Sequence, residues 1–213
     1  MIDAPTQRPS VEDRRQQIRD AAAICFRRSG FHGASMAEIA KEANLSVGQI
    51  YRYFENKEAI IEAIVEHDIA EKRAKFDEFY ATEGDFSRYM VETCSQAVER
   101  FWDPARAALE LEVMAEAARN PKVAEILRRK EEAEKQFKGP FSERIRRPGW
   151  TAEESEQRGE LIGMMFDGMA MHSIRYPDRC PNELAQALRK VLAAILEVPD
   201  IDGPDTSTKT PGA

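Results

Sequence analysis

Little in this chain of 213 residues is suited to covalent chemistry or to metal binding. Cysteine occurs three times, at Cys25, Cys94 and Cys180, with no two close in sequence. That excludes a CxxC pair or a disulfide framework and fits a reducing compartment. Histidine is equally scarce, and His32, His67 and His172 are too scattered to make a ligand-spaced set, so no metal site is expected. A Gly-rich phosphate loop, a nucleophile motif and a paired-carboxylate signature are all missing, so no catalytic residue and no cofactor are expected. The longest apolar stretch, Ala21 to Phe26, falls far short of the roughly 18 residues that a membrane span needs. Met1 to Arg8 carries no apolar secretory segment. These absences predict a soluble cytoplasmic protein with no membrane partner and no enzymatic centre.

What is present is material for a packed domain: 42% hydrophobic and 32% charged residues, which argues against global disorder. The net charge of −7 taken alone speaks against a nucleic-acid binder. The charge is unevenly spread, however. Residues 1–57 hold 9 Lys+Arg against 7 Asp+Glu, a net of +2, which leaves 22 against 31, a net of −9, for the remainder. A mildly basic head on an acidic body suits a chain that meets a polyanion at one end only.

Apolar residues recur at helical spacing nearly throughout, and strict alternation is hard to find, so the expected fold is all-α. Ile18, Ala22, Cys25 and Phe26 form a stripe closed by Gly30. Ser35 with Glu38 reads as a capping box opening a short helix, and Ser46 with Gln49 opens another after a tight break at Asn44-Leu45. Asn56 can cap a long fourth helix that reaches about Tyr80. Further along, one helix is predicted from Gly84-Asp85 to about Trp102, and others begin at Asp103-Pro104 and Asn120-Pro121. Gly139-Pro140 predicts a kink or break. Thr151 with Glu154 caps a further helix, and Pro181-Asn182 introduces the last. The expected divisions are a flexible arm over 1–11, a head over 12–72, a helical body over 73–198 and a disordered tail over 199–213.

The informative stretch is residues 35–54, a short amphipathic helix, a three-residue turn and a second short helix. That is a helix-turn-helix unit, whose second helix can enter the major groove of double-stranded DNA. With Val47, Ile50 and Phe54 assigned to the interior, Ser46, Gly48, Gln49, Tyr51, Arg52 and Tyr53 are left facing outward. Gln49 suits a base edge, Arg52 a phosphate or guanine, and the two tyrosines phosphate, sugar or a thymine methyl. Gly48 lets the helix lie close to the groove floor. Ser35 and Asn56-Lys57 open helices, where free N–H groups favour phosphate. A short helix pair is by itself more often plain core than a DNA reader; exposed aromatics and the local basic balance reverse that weighting.

Residues of about 12–72 resemble the N-terminal domain of the TetR family of bacterial transcriptional regulators. The resemblance is carried by Arg15-x-x-Ile18, Phe26, Gly30-Phe31, residues 35–40 and residues 43–58, in which Gly48-x-Ile50-Tyr51-x-Tyr53-Phe54 is followed by Lys57-Glu58. It implies an Ω-shaped homodimer of about nine helices per chain, joined through the last two long helices, with an inducer pocket in the body. It also implies that Ser35, Ser46, Gly48, Gln49, Tyr51, Tyr53 and Lys57 touch DNA. The family more often has Lys, Arg or Pro where Val47 or Gly48 stand.

The expected function is therefore a regulator, in the family most often a repressor, released from a palindromic operator by a small lipophilic effector. An activator, or a regulator without an inducer, is the alternative within the same class; a helical protein-interaction module is the alternative outside it. Met90, Cys94, Phe101, Trp102, Met114, Phe137, Met165, Phe166 and Met169 are candidate pocket residues, because methionine and aromatic side chains make an adaptable lining. Glu110, Glu112 and Glu116 lie on one helix and read as a solvated face, with neutralisation of a cationic ligand as the alternative.

Overall fold

The structure is a computed structural model that describes residues 9–199. The arm expected over 1–11 and the tail expected over 199–213 therefore lie largely outside the described residues. Val11 is already helical, and Ser10 caps it in a capping box with Asp13.

Among the described residues there are ten helices and no strand. They are α1 (Val11–Gly33), α2 (Met36–Glu42), α3 (Val47–Ile50), α4 (Lys57–Tyr80), α5 (Phe86–Glu92), α6 (Cys94–Phe101), α7 (Pro104–Ala117), α8 (Pro121–Ile145), α9 (Ala152–Arg175) and α10 (Asn182–Ile195). The count exceeds the expected nine because the helix predicted over 84–102 divides at Thr93. The Thr93 backbone leaves the helical region (ψ 12°), and its hydroxyl donates to the Tyr89 carbonyl at 2.8 Å. Conversely, α8 is not broken at Pro140. One turn before the proline the Phe137 carbonyl accepts the Tyr80 hydroxyl at 2.6 Å, and after it Ser142 Oγ donates to the Gly139 carbonyl.

The chain forms two compact units, and neither is a continuous stretch of sequence. The first runs to Ala70 and takes in Ala108–Glu131; the second comprises Glu71–Ala107 and the chain from Glu132. The first unit's N-terminal segment ends at Ala70, inside α4, and the second half of α7 and the start of α8 join it from further along the chain. The first unit is built on an aliphatic core of Ile18, Ile39, Ile50, Ile60 and Ile61 with Phe26 and Phe54. Val113, Val123 and Ile126 from α7 and α8 belong to the same core. The second unit is cored by Phe86, Met90, Cys94, Trp102, Ile145, Met169 and Leu192.

Two helix ends use one device. After α2, Asn44 takes φ 52°, with Leu45 N donating to the Ala40 carbonyl and Asn44 N to that of Lys41. After α10, Glu197 takes φ 51°, with Val198 N bonded to Ala193 and Glu197 N to Ala194. Both are Schellman closures made without glycine. Asn tolerates the left-handed region. Glu197 is secured through its carboxylate, which accepts from Trp150 Nε1 at 3.2 Å and Arg158 Nη2 at 2.9 Å.

Candidate nucleic-acid interface

The interface is assembled from helix ends. Ser35 Oγ accepts from Glu38 N at 3.1 Å while the Glu38 carboxylate accepts from Ser35 N at 2.8 Å. The backbone N–H of Ser35 holds the Glu38 carboxyl below its ordinary range. The same reciprocal box starts α3, with Ser46 Oγ accepting from Gln49 N at 3.2 Å and Gln49 Oε1 from Ser46 N at 2.8 Å. α3 is a single turn, too short to hold its shape alone, and the box fixes where it begins. The end of α2 is tied down as well, for Gln17 Nε2 donates to the Ala43 carbonyl at 2.6 Å.

The inner side of this segment is anchored by Ile50 and Phe54, both buried. Arg15 closes its far end by donating to the Tyr53 carbonyl at 3.1 Å with the guanidinium 4.4 Å above the Phe54 ring. On the outer side Ser46, Gly48, Gln49, Tyr51 and Arg52 are all exposed. A Cβ added at Gly48 would meet nothing within 4 Å, so no internal packing demands glycine there.

Three expectations change. Val47, assigned to the interior, is 39% exposed. Leu45 from the turn packs against the core instead, and Val47 stands at the first helical position on the outer side. Tyr53 is only half exposed and packs on the head core, unlike Tyr51, which is 53% exposed. Lys57 turns inward: its Nζ donates to the Phe31 carbonyl at 2.5 Å and the Ala34 carbonyl at 2.9 Å, 4.5 Å over the Phe31 ring. One N–H of the ammonium is left for an outside acceptor. The expected cap of α4 is present, with Ala59 N donating to Asn56 Oδ1 at 2.8 Å.

The glutamates of α7 are not a solvated face. Glu116 is fully buried and Glu112 accepts from the Phe31 backbone N–H at 2.7 Å. Among the pocket candidates, Met90, Cys94, Trp102 and Met169 are buried in the second unit's core. Phe137 is also buried and stacks with Phe76 at 5.2 Å. Phe101 is 39% exposed and lies against Phe166, ring centroids 4.7 Å apart, and Met165 is half-buried. Met114 does not join them, being 51% exposed and part of the first unit. Met114 lies about 100° around α7 from Val113, which takes the core position. Among the described residues no group of His, Cys, Asp and Glu could hold a metal ion. No helix of the described residues is long and apolar enough to cross a membrane.

A one-turn helix capped at its start, anchored inside and exposed outside, and preceded by a second capped helix, defines a helix-turn-helix regulator. Residues 18–64 match the family described as "Bacterial regulatory proteins, tetR family", and residues 81–198 match "Tetracyclin repressor-like, C-terminal domain". The chain belongs to the TetR family. It is 36% identical over 148 residues to the HTH-type transcriptional regulator UidR of Escherichia coli K12, a span of 69% of this chain and 68% of that protein. GusR of Salmonella enterica superposes with a TM-score of 0.64 at 30% identity, over 86% of this chain and 95% of GusR. FadR of Bacillus subtilis, solved with stearoyl-CoA, shares the fold at 19% identity and a TM-score of 0.66, over 83% of this chain and 96% of FadR. The protein is a DNA-binding transcriptional regulator.

Proposed function

We propose that the protein is a homodimeric, effector-released repressor of a palindromic operator, acting in the cytoplasm. The observation that carries the DNA contact is the outer face of α3, where Val47, Gln49, Tyr51 and Arg52 are exposed around Gly48. Gln49 Oε1 is occupied by its capping bond, so its amide NH₂ is the group offered to a base acceptor. Val47 supplies methyl groups for a thymine methyl. Tyr51 and Arg52, with the Ser35 hydroxyl and the third N–H of Lys57, serve phosphate. Support for a dimer comes from exposed apolar residues on the last two helices, Leu161 and Met164 on α9 and Val191 on α10. Two copies would place their α3 segments about 34–36 Å apart, one turn of duplex.

The effector is assigned to the second unit, beside Trp102, Met165, Phe166 and Met169. The Trp102 indole N–H is buried and meets no protein acceptor, so an effector bearing a carbonyl or other acceptor oxygen would fit it. A lipophilic effector agrees with FadR, which carries a fatty acyl thioester on the same fold. Binding that favours one arrangement of α4, α7 and α8, which supply residues to both units, would shift the population of heads able to span the operator. The test is selection of randomised duplexes on the purified protein, followed by titration of the recovered palindrome at several salt concentrations. Affinity should fall steeply with salt, and Tyr51→Ala should weaken every duplex while Gln49→Ala changes preference at one or two base pairs. No palindrome recovered at low salt would end this reading.

A further inference from the structure

We infer that Glu112 is a positioning residue for DNA binding, gripping from α7 the turn that delivers the helix-turn-helix; this rests on the operator-binding reading above. The turn joining α1 to α2 passes through Gly30, which has φ 70° and ψ 166° inside an otherwise helical run. The next residue, Phe31, donates its N–H to Glu112 Oε1 at 2.7 Å. A Cβ at Gly30 would come within 3.2 Å of that same oxygen, so glycine is needed for the backbone angle and for the carboxylate's approach.

The turn is held on its other side by Lys57, which takes the carbonyls of Phe31 and Ala34. The N–H and C=O of Phe31 are thus bound by opposite charges from two different helices, α7 and α4. Behind Glu112 stands the fully buried Glu116, whose carboxylate meets His32 Nε2 at 3.1 Å, Arg119 Nε at 2.8 Å and Asn120 Nδ2 at 3.0 Å. A buried carboxylate with those partners is costly to displace, so this segment of α7 has a fixed register against the turn. The turn ends at Ala34, and Ser35 caps α2. The closure at Asn44 then sets α3 relative to α2. Glu112 touches no DNA, yet the direction in which α3 points depends on it. α7 begins at Pro104, in the unit to which the effector is assigned, so the same carboxylate gives α7 a hold on the reader.

The test separates the hydrogen bond from the charge. Glu112→Ala removes the acceptor, Glu112→Gln keeps its reach without the charge, and Glu112→Asp keeps the charge one methylene too short. Operator affinity is read by fluorescence anisotropy, and exchange of the Phe31 amide by NMR on the full chain. Glu112→Ala and Glu112→Asp should each weaken the operator complex by about tenfold and speed Phe31 exchange, whereas Glu112→Gln stays near wild type in both. Should Glu112→Ala fail to fold, the Asp and Gln pair still decides. Wild-type affinity and exchange in Glu112→Asp, or a Gln variant as weak as Ala, would overturn the inference. If the wild type binds no duplex, operator binding itself is wrong, and the exchange rates alone decide whether the grip exists.

Discussion

The core of the unit that carries α1–α3 is richer in isoleucine and alanine, and that of the other is richer in methionine and in contacts between rings, though each holds both kinds of side chain. Ile18, Ile39, Ile50 and Ile60 are fully buried in the first, with Ala22, Ala34 and Ala40 between them. Such side chains let short helices approach closely but leave no slack, since branched residues have few rotamers. In the second unit Phe79 meets Phe86 at 4.6 Å, Phe86 meets Phe141 at 6.0 Å, and Met90 and Met169 fill the remaining space. Rings and thioethers can re-pack around a guest at modest cost. The difference suits the proposed division of labour, in which the reader holds one shape and the second unit, if it takes the effector, admits two.

The largest expected effect tests that contrast directly. Ile50→Ala should cost about 2–5 kcal/mol of stability, because the single turn of α3 cannot collapse onto the void. Met90→Leu in the second unit should cost less than about 1.5 kcal/mol. Urea denaturation of both variants checks the pair; equal losses would mean that the two cores are equally rigid.

Next come the caps, where one device serves both units. Ser46→Ala and Thr151→Ala each remove a hydroxyl that accepts a backbone N–H in a capping box. Each should lower stability by about 1 kcal/mol. Only Ser46→Ala should also weaken operator binding, since it loosens the start of the reader. A Thr151 variant with the same binding defect would show that helix capping in general, and not the placement of α3, limits affinity.

What could be read from sequence follows the range of the interactions involved. Ser35 with Glu38, Ser46 with Gln49, Asn56 and Thr151 with Glu154 mark helix starts through partners three residues away, and all four lie where expected. Val47 lies outside what the sequence can place, because a helix of one turn has no period to read; Leu45, outside the helix, fills the inner position instead. Lys57 and Glu112 find their partners at Phe31 across 26 and 81 residues, and no local pattern announces either contact. Gly139-Pro140 reads as a kink or break, yet α8 runs on through it, and beside it the Tyr80 hydroxyl reaches the Phe137 carbonyl from 57 residues away, a contact that no local pattern announces. Methionine and aromatic content can suggest a pliable lining, yet composition does not say which rings touch.

That Tyr80 bond gives a smaller effect. Burial pushes the Tyr80 hydroxyl up to about 12 from its ordinary 10, so the neutral form is favoured by folding. Its contribution is complete below pH 10 and is lost as pH rises through the folded value. Tyr80→Phe should cost about 1 kcal/mol at neutral pH and remove this part of the alkaline decline, seen by denaturation at successive pH values. A full decline in the variant would assign it to other groups.

The smallest effect contrasts the two carboxylates that close capping boxes. Glu38 in the first unit and Glu154 in the second are both held below the ordinary carboxylate value of 4.5, each chiefly by the backbone N–H of its capping residue. A depressed value means that the stabilisation is present above pH 4.5 and disappears as pH falls through the folded value. Glu38→Gln and Glu154→Gln keep an acceptor for the N–H but cannot titrate, so each should flatten part of the acid limb. Glu154 is exposed and Glu38 is only partly buried, and the stability change is accordingly slight. Operator affinity separates them. Protonating Glu38 releases the start of α2, so wild-type binding should weaken as pH falls below 4.5 through the folded value. Glu38→Gln should resist that fall, and Glu154→Gln should follow the wild type. If the two variants traced one curve, the acid response would belong to the duplex contacts and not to the cap that aims them.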